Sequence, residues 1–343
     1  MKKRMHLAEC RAGDVLAEEI KNHYGVFLLA RGTIINQYIL QRLAELGIEY
    51  LTVSRRKKTD ESLASEEALF DVKYEHIIKD MKHLVHQLSK GNKIDYAVLS
   101  KITDTMLAAE DEPDHVIKCL IKIREADDYT YYHCVNAAFY AMQLACWINL
   151  PREDIKIVIQ AALLHDLGKA HIPNEILNKK GLLNEQEFKE VKRHVFYGYQ
   201  LLKDDRRIAD EVKDAILMHH EREDRSGYPL RAGGDDLSIY TKIVSVADVY
   251  DAMTSNRPYK QALTPFEAFE EILTVSGLDI RLVKGLVANL SRYYTGSRVL
   301  LNNGETGIIA YIPPHCSWRP IIDTGAAFLD LSREQDISII GII

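Results

Sequence analysis

From about residue 64 to about residue 295, apolar residues recur every three or four positions. Ile77, Ile78, Met81, Leu84, Val85 and Leu88 form one stripe, and Val98, Leu99, Ile102, Met106 and Leu107 form another. That spacing predicts amphipathic helices, each buried along one face. His76, His83 and His86 fall beside the first stripe and are expected to face solvent. Pro113 suits the first turn of a further helix carrying Val116, Ile117, Leu120 and Ile121. Two later helix starts carry capping boxes, Asn184 with Glu187 and Thr264 with Glu267.

The two ends of the chain are patterned differently. Gly25 to Ala30 and Arg31 to Ile35 read as two strand-like runs around a glycine turn. Tyr38 to Leu46 has helical spacing and stops at Gly47, and Ile48 to Val53 alternates like a strand. The polar, charged run Ser54 to Ser62 marks a boundary. Toward the other end, Arg298–Leu301 and Gly307–Tyr311 flank Asn302-Asn303-Gly304-Glu305, the pattern of a hairpin, and short β-prone runs follow to Ile343. The expected fold is therefore mainly α: an all-helical body flanked by a small N-terminal α/β or β-rich domain and a small C-terminal β-rich domain. The expected divisions are 1–60, a helical connecting region 61–124, a helical domain 125–295, and a β-rich extension 296–343.

Composition adds limits. With 343 residues, 47% hydrophobic and 27% charged, the chain is of ordinary globular make-up and long enough for two or three domains. Its net charge of −6 argues against a surface that coats polymeric nucleic acid or anionic membrane. The five cysteines are scattered, odd in number and without a Cys-x-x-Cys pair, which reads as reduced thiols. No apolar run follows the basic start Met1-Lys2-Lys3-Arg4, and no stretch is apolar enough to span a bilayer, so a cytoplasmic location is expected.

The candidate chemistry lies in the helical body. Six of the 13 histidines fall between 133 and 220. His133, His165 with Asp166, His194 and the doublet His219-His220 are followed by Asp248 and Asp251. Imidazole and carboxylate are mixed N/O ligands suited to Mn, Fe, Ni or Zn. Asp248 sits in the apolar run Ile243 to Val249, where a carboxylate is costly unless it meets a cation. A single histidine or a His-Asp dipeptide carries little information. The ordered set of all of them in one helical block carries a great deal.

That set resembles the HD-GYP branch of the HD phosphohydrolases, similar to cyclic di-GMP phosphodiesterases. The matching stretches are Asp128-Tyr129-Thr130-Tyr131-Tyr132-His133, Leu164-His165-Asp166-Leu167-Gly168-Lys169, Lys192-Arg193-His194, the run from His219-His220 to Gly227-Tyr228-Pro229, Ala247-Asp248-Val249-Tyr250-Asp251-Ala252, and Arg257-Pro258-Tyr259-Lys260. The resemblance covers about half of the chain. It implies that His133, His165, Asp166 and Asp248 hold one divalent metal, and that Asp166 bridges to a second completed by His194, His219 and His220. Fe or Mn would be the first expectation for the pair, with Ni or Zn also compatible. Two such cations can share a water made acidic enough to attack phosphorus, and they stabilise the phosphoryl oxygens. Some members hold a third metal through a Glu four residues before the first histidine. That position is Tyr129 here, which favours two metals.

The resemblance also places Lys169 beside the scissile phosphate and Arg257 and Lys260 on the ligand. Asp251 would orient a ligand or handle a proton. Gly227, Tyr228 and Pro229 would form a shaped loop beside the site. Arg225 departs from the pattern, which has glycine directly after the Asp. If that position needs positive φ, the loop is strained or re-routed.

The implied activity is hydrolysis of cyclic di-GMP to pGpG and onward to GMP. Two other readings stay open: a cyclic-dinucleotide sensor or interaction module of weak or no activity, and a phosphohydrolase of another nucleotide such as a different cyclic dinucleotide or (p)ppGpp. A homodimer or a signalling partner could dock through the Gly-Tyr-Pro loop. The negative net charge is compatible with an anionic ligand if the positive charge is local, on the metals, Lys169, Arg257 and Lys260.

Overall fold

The computed structural model describes residues 2–21, 27–29, 31–54, 60–110, 116–117, 120, 129–179, 181–256 and 261–343. Part of the first expected strand run, the charged run 55–59, Pro113 and Ile121 lie outside the described residues. The chain divides into two units. One comprises Met1–Ser65, Thr264–Phe269 and Val287–Ile343, the other Glu66–Leu263 and Glu270–Leu286.

The second unit is helical and is built on the two apolar stripes. Helix α1 (Gln37–Glu45) belongs to the first unit; α2 (Asp60–Ser89) and α3 (Tyr96–Leu107) open the second. On α2, Ile77, Ile78, Met81, Leu84 and Leu88 are buried while His76, His83 and His86 are exposed, as the spacing predicts. Helix α4 (Tyr129–Trp147) is apolar on every side and is therefore central. Its alanines Ala137, Ala138, Ala141 and Ala145 are fully buried. Lacking bulk, they let it pack against α5 (Arg152–Leu164) and α10 (Ile239–Thr254). Between these lie α6 (Asn174–Leu177), α7 (Glu185–Val191), α8 (His194–Leu202) and α9 (Asp210–Met218). The Asn184–Glu187 capping box at the start of α7 is formed in full.

The first unit joins both ends of the chain. Strands β1 (Lys2–His6), β2 (Val15–Leu16) and β5 (Tyr50–Ser54) form an antiparallel sheet in the order β1-β5-β2. Strand β3 (Ile20–Lys21) pairs with β4 (Phe27–Leu29). The run 31–35 is not a second strand beside β4. Leu16 N instead donates to the Thr33 carbonyl and Ile35 N to the Asp14 carbonyl, because the apolar Leu16 and Ile35 are buried together.

Toward the other end, α11 (Pro265–Thr274) opens on the Thr264–Glu267 box and is followed by α12 (Ile280–Leu290). The expected hairpin is β6 (Arg298–Leu301) with β7 (Thr306–Tyr311). With β8 (Ile321–Asp323), β9 (Phe328–Asp330) and β10 (Ile339–Ile342) it forms a sheet ordered β10-β6-β7-β8-β9. Asn36 caps α1, accepting from Ile39 N at 2.9 Å, and its side-chain amide donates to the Ala310 carbonyl on β7. Tyr38 lies against Tyr311 and Phe328.

Candidate metal centre

The histidines and aspartates converge from helix ends and one helix face. His133 projects from α4, His165 follows the last residue of α5, His194 opens α8, His219 and His220 follow α9, and Asp248 and Asp251 stand on α10. His133, His165, Asp166, His194, His219, Asp248 and Asp251 are all buried. Three of the histidines share one device. His165 Nδ1 donates to the Ala162 carbonyl at 2.7 Å, His194 Nδ1 to Val191 at 2.7 Å, and His219 Nδ1 to Ile216 at 3.0 Å. Each bond runs to the carbonyl three residues back, one left unsatisfied where a helix or turn ends. It fixes the tautomer and turns the Nε2 lone pair inward. His133 uses a carboxylate for the same purpose: its Nδ1 donates to Asp251 Oδ2 at 2.7 Å. Ser255 Oγ donates to the same oxygen at 3.1 Å. Asp251 therefore orients His133.

The inward-facing atoms form one cluster. His133 Nε2 lies 3.1 Å from Asp248 Oδ1 and 3.5 Å from Asp166 Oδ2. His165 Nε2 lies 3.4 Å from Asp166 Oδ2, and His194 Nε2 lies 3.4 Å from Asp166 Oδ1. One candidate ligand set is Asp166, His194, His219 and His220; a second is His133, His165 and Asp166; a third is His165, His219 and Asp248. In each set the ligand atoms lie within 4.8 Å of one another. Asp166 belongs to the first two sets, which places it between them.

Two observations show that cations fit here. His194 Nε2 and His219 Nε2 face each other at 3.4 Å, although both Nδ1 protons are already given to backbone carbonyls. Two lone pairs so placed repel unless a cation lies between them or a ring takes a second proton. Protonation is resisted: burial pushes His194 down to about 4, His220 down to about 3 and His219 well below its usual value. Second, His165 Nε2 and Asp166 Oδ1 are buried without a hydrogen-bond partner among the described residues, which is costly for polar atoms unless a ligand takes them. The carboxylates stay charged. Burial opposes ionisation of Asp166, but Lys169 and His165 outweigh it and hold its carboxyl well below the usual range. Hydrogen bonding to His133, with His165 beside it, does the same for Asp248, again against burial.

His133 differs from the other histidines. Burial works to lower it, but its bonds to Asp248 and Asp251 prevail and raise it to about 9. A group raised on folding stabilises below its unfolded value, near 6.5, and loses that contribution as pH rises through about 9. Metal-free protein should therefore lose stability between about pH 7 and pH 10. Protein with His133 Nε2 on a cation should lose less, because the cation has taken the proton's place. Thermal melts of both forms across that range check this.

Lys169 reaches the centre by another route than a continued α-helix. Helix α5 stops at Leu164 and a 3₁₀ turn, Leu167–His171, follows. The Lys169 ammonium then lies on Asp166 Oδ2 at 2.5 Å. The turn is forced by a close approach: a Cβ on Gly168 would collide with the His194 carbonyl and the Gly198 amide. Sequence reasoning had not singled out Gly168. Its position inside the His-Asp-x-Gly-Lys run was the available signal.

The Gly227-Tyr228-Pro229 loop folds beside His220, with a cis Tyr228–Pro229 bond and the Tyr228 ring stacked on His220, centroids 4.8 Å apart. Arg225 does occupy a positive φ, +65°. Its guanidinium donates to Asp236 at 3.0 Å in an exposed pair. A side chain in this region costs about 1 kcal/mol. Arg225→Gly should thus raise stability by about 0.5–1 kcal/mol, read as a higher urea midpoint at unchanged slope. Arg257 and Lys260, with Asp128 of the first matching stretch, lie outside the described residues.

A helical domain that brings His, His-Asp, His, His-His and Asp from successive elements into one buried cluster is the arrangement of an HD domain. Residues 116–280 match the family model described as HD domain. A cyclic di-GMP phosphodiesterase of Pseudomonas aeruginosa is 34% identical over 220 residues, 64% of this chain and 53% of its own length. The cyclic di-GMP phosphodiesterase response regulator RpfG of Xanthomonas campestris is 41% identical over 143 residues, 41% of this chain and 38% of its own. A 3'3'-cGAMP-specific phosphodiesterase of Vibrio cholerae is 34% identical over 177 residues, 47% of this chain and 34% of its own. The chain thus spans between a third and about half of the length of these curated relatives. A solved HDG"Y"P protein from Bdellovibrio bacteriovorus shares the fold at a TM-score of 0.55 and 14% identity, over 83% of this chain and 98% of its own. Residues 116–280 of the chain thus carry an HD domain. Among the described residues no helix is long and apolar enough to cross a membrane.

Proposed function

We propose that the chain is a metal-dependent phosphodiesterase that opens cyclic di-GMP to pGpG and cleaves onward to GMP, with residues 125–295 as its catalytic part. The observation that carries the reading is the pair of opposed imidazole lone pairs on His194 and His219, closed by the carboxylate of Asp166. Such a cage suits two divalent cations, Fe or Mn foremost with Ni or Zn also compatible, which would acidify a water and neutralise phosphoryl oxygens.

The chain's own residues do the rest. His133, His165, Asp166 and Asp248 would hold one cation, and Asp166, His194, His219 and His220 the other. Asp251 keeps His133 in its ligating tautomer by accepting the Nδ1 proton. Lys169 sits at the cluster with its side chain 20% exposed, so its ammonium can turn from Asp166 to a phosphate oxygen or hand a proton to the leaving 3′ oxygen. In the reaction a water oxygen bonds to phosphorus, the bond to the 3′ oxygen breaks, and that oxygen gains a proton. Arg257 and Lys260 would hold the ligand's phosphate and guanine, and Gly227, Tyr228 and Pro229 would wall the site. The N-terminal residues 1–60 would regulate it or mediate a homodimer.

Support for a cyclic dinucleotide comes from the relatives' names, which divide between cyclic di-GMP and 3'3'-cGAMP. The test is chromatography of products after loading with Mn(II) or Fe(II), with both dinucleotides supplied separately. Metal bound, fold intact and no hydrolysis of either would sink the proposal. Faster turnover of 3'3'-cGAMP would move the substrate to that neighbour. Lys169→Ala should lower the rate by about 10²–10³-fold and leave metal content unchanged by elemental analysis. Loss of metal instead would make Lys169 a structural residue.

A further inference from the structure

Glu221 directly follows the His219-His220 pair but has no place among the cation ligands. It is 1% exposed, a burial that a carboxylate tolerates only when it is held. Its Oε1 accepts the backbone N–H of Leu230 at 2.5 Å, nine residues along the chain. Its Oε2 is also buried and has no hydrogen-bond partner among the described residues, so there the carboxylate's hydrogen bond runs to Leu230.

Between Glu221 and Leu230 the loop folds back onto its own start. Gly227 lies so close to the Glu221 Cα, the His220 carbonyl and the Arg222 amide that no Cβ fits there. Tyr228 N donates to the His220 carbonyl at 3.3 Å. The Tyr228 ring then lies on the His220 imidazole, 27° from parallel, with the Lys192 ammonium 4.8 Å from the Tyr228 centroid and 4.6 Å from that of Phe188. Asp224, Arg225, Ser226, Leu230 and Arg231 are exposed, so burial of the loop's outer residues does not hold it in place.

We infer that Glu221 is a positioning residue: its carboxylate clamps the far end of the 222–230 loop to the chain beside His219 and His220, so that Tyr228 stays stacked on His220. Without the clamp, His220 keeps its backbone position and loses the ring that fixes its side chain. The consequence for cations and substrate rests on the function proposed above; the clamp itself does not.

The experiment uses the full chain and four variants: Glu221→Ala, Glu221→Gln, Leu230→Pro, and Glu221→Ala with Leu230→Pro. Leu230→Pro removes the same hydrogen bond from its donor side. Trypsin cleavage after Arg225 and Arg231, followed by mass spectrometry, reads how often the loop opens. Loss of a hydrogen bond to a charged acceptor should speed cleavage about tenfold or more in Glu221→Ala and in Leu230→Pro. Glu221→Gln, whose amide oxygen can accept the same N–H, should stay within a few-fold of the parent. The double variant should open no more than the faster single one. Calorimetric titration with Mn(II) should show one cation bound about tenfold more weakly in Glu221→Ala and restored in Glu221→Gln.

An alanine variant as resistant as the parent, a glutamine variant as labile as the alanine one, or additive single effects would each overturn the clamp. If Glu221→Ala fails to fold, Leu230→Pro and Glu221→Gln carry the same comparison. The expected cleavage pattern without dinucleotide turnover leaves the clamp standing and removes the proposed reaction. Turnover with a loop indifferent to Glu221 removes the clamp and leaves the reaction.

Discussion

Asp166→Ala should abolish hydrolysis, by on the order of 10³-fold or more, and should lower metal content more than any other single ligand change. The reason is placement. Asp166 offers Oδ1 toward His194 and Oδ2 toward His133 and His165, so it is shared by two candidate ligand sets. Removing it takes an anionic ligand from both at once. It also leaves Lys169, whose ammonium rests on Asp166 Oδ2, facing a cluster of imidazoles with its counter-charge gone. The loss of several kcal/mol of transition-state stabilisation corresponds to the stated factor. His165→Ala should also lose activity and lower metal content. The check is elemental analysis of anaerobically purified variants followed by a rate measurement on the same samples. Wild-type turnover in Asp166→Ala would show that the site assignment is wrong.

Gly168→Ala should be the most damaging change outside the ligand set. The added methyl would meet the His194 carbonyl and the Gly198 amide, which are backbone atoms and cannot rotate away. Relief requires α8 to move from the 3₁₀ turn, and His194 is the first residue of α8. Overpacking against backbone should cost about 3 kcal/mol or more. For a unit of roughly 200 residues that corresponds to a fall in melting temperature on the order of 10 °C. The same displacement carries His194 away from Asp166 and His219, so metal content should fall with stability. Melting and elemental analysis together check both; a stable variant with full metal content would show that the contact yields without moving His194.

Much of the helical body was legible in the chain. The stripe from Ile77 to Leu88 buried itself and left His76, His83 and His86 outside, because a 3.6-residue period has one face to bury. Both capping boxes formed, since their bonds are made within four residues. The Asn302–Glu305 turn joined its two strands for the same reason. Pairings between distant segments were less legible. Residues 31–35 read as strand-like and proved to pair with residues 14–16, a choice that local alternation does not encode. The 3₁₀ turn that carries Lys169 after α5 was not legible either, because Gly168 answers to a contact with α8 that no local pattern reveals.

The site shows the same division. Residue order alone brought His133, His165, Asp166, His194, His219, His220 and Asp248 to attention, because so many imidazoles and carboxylates amid apolar helices are costly without a cation. Which nitrogen of each ring faces the cluster was decided by three-dimensional contacts: the carbonyls of Ala162, Val191 and Ile216, and the carboxylate of Asp251 from another helix. The joining of the chain's two ends into one unit was decided in the same way, through Asn36 and Ala310, and Tyr38 with Tyr311 and Phe328. Periodicity, capping and residue chemistry are local or cumulative properties that one strand of text carries. Tautomers, close approaches at glycine and the partner of a strand depend on atoms far apart in the chain, and only packing brings those together.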